Sequence, residues 1–128
     1  MSYNFSKEVN LQFEPAIEKV TEELKKEGFG VLTEIDVQAT LKKKLDVDFR
    51  KYRILGACNP PFAYQALSAE ENIGVLLPCN VIVQEKESGK SSISIVNPIE
   101  AMQSVQNPAL GEIADQVTER LKKVLANC

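Results

Sequence analysis

The side chains with the widest chemical reach in this sequence are two thiols, each followed by an amide, in Cys58-Asn59 and Cys79-Asn80. A thiolate serves as nucleophile, redox centre or soft-metal ligand, and its reactivity depends on what lowers its pKa. Cys58 directly precedes Asn59-Pro60, a helix-start pair, so the positive end of a helix dipole would favour its thiolate. Arg53 lies on the same apolar segment but on the opposite face. Pro78 lacks an N–H and marks an edge, a bulge or a strand start, where the neighbouring Cys79 can be reached. If the two segments are successive antiparallel strands, the thiols become neighbours, since directly opposed Cβ atoms lie about 4.5–5.5 Å apart. That is close enough for a shared ligand and wide for an unstrained disulfide. Alternation groups Cys58 with Ile54 and Gly56, and Cys79 with Leu77 and Val81. Whether these are one face depends on the register. The competing reading is plainer, because free cysteine is among the most buried residue types and both segments are apolar. Asn59 reads as a helix cap by analogy with Asn97 and Asn107, whereas Asn80 has no such explanation. Cys128, one residue after Asn127, reads as incidental.

Composition removes much of the remaining chemistry. The chain has 128 residues with no histidine and no tryptophan, so it contains no Ser-His-Asp or Cys-His pair and no His-ligated zinc or haem. Three cysteines, an odd count, do not make a disulfide framework. The carboxylate pairs Glu22-Glu23, Glu70-Glu71 and Glu85/Glu87 read as solvated, and no phosphate-binding glycine loop, zinc-finger spacing or nucleophile elbow occurs. A pI near 5.1 argues against nucleic acid as a partner. The basic residues Lys42, Lys43, Lys44, Arg50, Lys51 and Arg53 are diluted by Asp46 and Asp48 and read as a solvated surface. The first residues are polar and charged, and the longest apolar run, residues 73–83, is broken by Pro78 and Asn80. The expectation is a cytoplasmic protein that does not enter a membrane.

The elements that must position the thiols follow from periodicity. Residues 2–9 alternate as a half-buried strand, and from Pro15 the period changes to a helix with Ile17, Val20 and Leu24 on one face and Gly28 beyond its end. Residues 30–35 form a second strand. Asp36 then caps a short helix carrying Val37, Leu41 and Leu45. Strands are predicted at 52–58, 75–85 and 91–96, with Ser88-Gly89 turning the last two into a hairpin. Asn59-Pro60, Asn97-Pro98 and Asn107-Pro108 each announce a helix, at 61–69, 99–104 and 109–126. The last carries Ile113, Val117, Leu121, Val124 and Leu125 on its apolar face. The order predicts a single α+β domain over residues 1–128, an antiparallel sheet with two long helices on one face and short helices between strands. Ile93 and Ile95 oppose Ser92 and Ser94, so one sheet face is dry and the other wetter or covered by a second subunit.

Gly28-Phe-Gly-Val-Leu-Thr-Glu-Ile-Asp36, Tyr52-Arg-Ile-Leu-Gly-Ala-Cys-Asn-Pro60, Gly74-Val-Leu-Leu-Pro-Cys-Asn80 and Asn97-Pro98 together resemble domain-of-unknown-function family 302. The resemblance covers essentially the whole chain in order. It implies a bacterial or archaeal cytosolic α+β domain of β-α-β(4)-α order, similar to the TATA-box-binding-protein fold and expected as a homodimer. It implies neither DNA binding nor an activity, since fold does not fix function.

With no acid–base set in view, the sequence points to a non-catalytic homodimeric binding module. Its small-ligand or partner site would lie near Cys58, Asn59, Cys79 and Asn80. The alternative is thiol redox or soft-metal binding by Cys58 and Cys79, as a Cu(I) site or, with two protomers, a four-cysteine zinc site. A weaker third reading is a hydrolase or isomerase using Lys, Tyr or carboxylates. Tyr52, Phe62 and Tyr64 flank the cysteine segments as core, pocket wall or dimer seam. The sequence names no cofactor.

Overall fold

Strand β1 (Asn4–Val9) leads into α1 (Phe13–Lys26), β2 (Gly30–Asp36) and α2 (Val37–Leu45). Then come β3 (Tyr52–Cys58), α3 (Pro60–Ala69), a 3₁₀ turn (Ile73–Leu76), β4 (Cys79–Glu85), β5 (Ser91–Val96), α4 (Pro98–Met102), a second 3₁₀ turn (Gln103–Val105) and α5 (Pro108–Ala126). The computed structural model describes residues 2–87 and 89–128. Of the expected turn pair, Ser88 lies outside the described residues. Gly89 has φ 78°, and Lys90 N donates to the Glu87 carbonyl at 2.9 Å.

All strand pairs are antiparallel in the order β1-β5-β4-β3-β2, so β2 to β5 form a meander and β1 adds beside β5. Leu55, Ala57, Val81, Val83, Ile93 and Ile95 line the dry face and are almost fully buried. Against them pack Val20 and Leu24 of α1 and Leu121 and Val124 of α5, all at zero exposure. Helix α1 begins two residues before Pro15, which the first turn tolerates because an N–H there has no intrahelical partner. At its other end Gly28, at φ 87°, donates to the Lys25 carbonyl and Phe29 N donates to the Leu24 carbonyl. This Schellman closure turns the chain into β2.

Away from the cysteine segments, sequence expectation and structure part company at several places. The strand predicted from Val75 begins only at Cys79, and residues 73–76 form the 3₁₀ turn instead. Pro78, following a cis Leu77–Pro78 bond, has no N–H to give a ladder. Glu23, read as solvated, is 4% exposed on α1 and paired with Lys19 at 3.1 Å and Lys26 at 3.0 Å. Lys26 first, then Lys19, hold its carboxyl below the ordinary range. Arg53, read as part of a solvated cluster, lies over the Phe13 ring and pairs with Glu14, Glu34 and Asp36. Tyr64, for which core was one of three readings, is 75% exposed and so lies outside the core.

Candidate functional site

The β3–β4 register decides the fate of the cysteine pair. Leu55 opposes Val81, Gly56 opposes Asn80 and Ala57 opposes Cys79. Cys58 is therefore one residue out of step with Cys79, and alternation gives them opposite sheet faces. The expected cross-strand pair does not form, and both thiols are free. No tight turn sets this register, because α3 and a 3₁₀ turn separate the two strands. Among the described residues no cluster of three or more Cys, Asp or Glu side chains could hold a metal. Burial pushes the Cys79 thiol up to about 11, with the nearby Cys58 acting in the same direction. At neutral pH Cys79 is a protonated, weakly nucleophilic group.

Both thiols nevertheless border one half-open pocket of 340 Å³ at the end of the sheet. Its floor is Ala57, Cys58, Asn59 and Cys79, and α3 supplies Phe62, Ala63, Ala66 and Leu67. Leu77, Pro78 and Met102 close one side, and Ile113, Ala114 and Val117 of α5 form the back. Phe29, Leu32 and Thr33 complete the wall from β2 and the turn before it. None of these side chains carries a charge.

A bulge shapes the β2 wall. Val31 opposes Ala57 and Thr33 opposes Gly56, so Leu32 is the extra residue. Leu32 is thereby set at the pocket rim at 68% exposure, and Thr33 is turned onto the far face over Gly56. A Cβ at Gly56 would collide with the Thr33 hydroxyl and approach Pro78 Cγ to 2.7 Å.

Asn59 does not cap α3, contrary to expectation. It is 8% exposed, and its Nδ2 donates to the Glu27 carbonyl at 3.2 Å, tying the start of α3 to the end of α1. The same carbonyl accepts from Arg120 of α5, whose guanidinium lies over the Phe62 ring. Asn97 and Asn107 do cap, accepting from Ile99 N and Ala109 N at 3.1 and 3.0 Å. Each also reaches a remote carbonyl with its Nδ2, Asn97 that of Ser2 and Asn107 that of Ala69.

Asn80 stands apart. It is exposed on the opposite sheet face, in a more open, polar cleft with Tyr3, Arg50, Tyr52 and Gln84. So the structure gathers Cys58, Asn59 and Cys79 and separates Asn80 from them. Of the other wall residues, Phe62, Leu77 and Pro78 stood out in the sequence beside the cysteine segments, and Ile113 and Val117 as the apolar face of the last helix. Met102 was not singled out, and that it meets Ile113 and Val117 at this pocket is a matter of tertiary packing, which no local spacing announces.

An antiparallel sheet backed by two long helices and ending in an uncharged pocket defines this as an α+β domain. The sequence profile described as "Domain of unknown function DUF302" matches residues 5–128, and the chain belongs to that family. It is similar to the crystal structure of an uncharacterized conserved protein DUF302 from Bacillus stearothermophilus, with 32% identity and a TM-score of 0.92, covering 100% of this chain and 99% of that one. No curated protein matches. No helix among the described residues is long and apolar enough to cross a membrane.

Proposed function

We propose that this protein is a non-catalytic homodimeric binding module whose small-ligand site is the pocket holding Cys58, Asn59 and Cys79. The observation that carries the reading is the pocket itself, concave, assembled from six segments and apolar around one buried amide, as ligand sites are. Its only titratable wall groups are thiols, and Cys79 is held protonated, which leaves no acid–base pair for catalysis. A second copy is supported by apolar surface left uncovered on and beside edge strand β2, where Leu32, Ile35, Leu45 and Val47 are all exposed. Thiol redox or metal chemistry lacks comparable support, since Cys58 and Cys79 are out of register.

Native mass spectrometry of freshly isolated, unreduced protein tests both parts. The expected result is twice the chain mass carrying a small organic adduct. A bare dimer removes the ligand, and a monomer at micromolar concentration removes the second copy.

A further inference from the structure

The composition of the pocket wall limits what can occupy it. No wall residue is charged, so an ionised group drawn inside would lose its hydration with nothing to replace it. Arg120 lies over the ring of the wall residue Phe62 and donates to the Glu27 carbonyl without joining the wall. Asn59 has its Nδ2 committed to that same carbonyl and makes no cap bond. No bond to its Oδ1 is found among the described residues, and Asn59 is one of the residues of the pocket wall. An amide oxygen without a partner has free capacity to accept a hydrogen bond. The volume of 340 Å³ is a little over twice the roughly 150 Å³ cavity that accommodates benzene, and at about 30 Å³ per water it corresponds to about eleven small-atom units.

We infer that the occupant is an uncharged amphiphile of about ten heavy atoms whose one hydrogen-bond donor, a hydroxyl or N–H, meets Asn59 Oδ1. A medium-chain alcohol or a bicyclic aromatic such as an indole has this chemistry. The inference rests on the pocket being a ligand site, and its test separates the two.

The chain has two methionines, so methyl-labelled protein gives two signals, and Met102→Leu assigns the one in the pocket wall. The Met102 methyl is followed while 1-octanol, 1-methoxyheptane, octanoate and octylammonium are titrated at pH 7. Octanol is expected to shift it saturably. The ether, equal in size but without a donor, is expected to bind at least fivefold more weakly, and both ions at least tenfold more weakly. Ala63→Leu, which narrows the pocket, is expected to abolish the octanol shift while the rest of the spectrum stays native. If none of the four shifts the methyl, the pocket takes no such ligand and the proposed function falls with it. If either ion matches octanol, the site stands and its uncharged class is overturned. If the ether matches octanol, the assignment of Asn59 as acceptor is overturned.

Discussion

Gly56 sits in the middle of β3 with room for a hydrogen and nothing larger, because the bulged β2 strand lays Thr33 across it and Pro78 closes the other side. Both neighbours belong to segments that shape the pocket, so close packing here and pocket geometry have one cause. Gly56→Ala is expected to lower stability by about 2 kcal/mol or more, as overpacking a rigid site does. Thr33→Ala in the same chain should recover part of the loss. Urea midpoints of the two variants check this, and an unchanged midpoint for Gly56→Ala would refute the tight packing. At this scale the sequence was only partly readable. Gly56 and Cys58 could be placed on one strand, but the partner of each depends on a register set by a 20-residue excursion between β3 and β4. Glu23 was misread for a related reason. Adjacent glutamates look solvated, and only the helix phase that sets Glu23 among Lys19, Lys26 and the core shows otherwise.

The three Asn-Pro pairs act between elements. Each starts a helix, and each also fastens that helix to a distant stretch of chain, α3 to the end of α1, α4 to the segment before β1, and α5 to the end of α3. Asn97 and Asn107 combine cap and tie, whereas Asn59 supplies the tie alone. Asn97→Ala is expected to cost about 1–2 kcal/mol, and Asn59→Ala about 1 kcal/mol. Asp at position 97 keeps the capping oxygen and loses the donor, so Asn97→Asp should fall between wild type and Asn97→Ala. Thermal or urea unfolding of the three variants reads the order, and equal losses for the Asp and Ala variants at 97 would deny the cap. Helix existence at these pairs was legible because Asn and Pro are local signals. The tie was not, because its acceptors lie 32 to 95 positions away.

Over the whole molecule, burial is distributed unevenly. β4 and β5 lie inside the sheet with Val81, Val83, Ile93 and Ile95 at zero exposure, while α2 contributes no buried residue at all. Native-state hydrogen exchange should accordingly be slowest in β4 and β5 and fastest, among the helices, in α2. Protection of α2 equal to that of α5 in dilute protein would show that something else covers it. The meander and the helix-backed face were legible as a whole, since alternation and helical period are written into each segment. The pocket was legible only at Cys58, Asn59 and Cys79, because its remaining walls come from elements far apart in the sequence.

One pairing bears on how this chain reaches its fold. β1 has its strand partner in β5, some 90 residues later, and the Lys7 ammonium on β1 caps the carbonyls of Leu125 and Ala126 at the far end of α5. Closing a loop of that length carries an entropic cost, and contacts so distant in the sequence slow folding. During synthesis the apolar faces of β1 and α1 therefore emerge from the ribosome well before the strand and helix that cover them. Until they do, the nascent chain presents an open apolar surface, the kind that makes incompletely folded chains prone to aggregate.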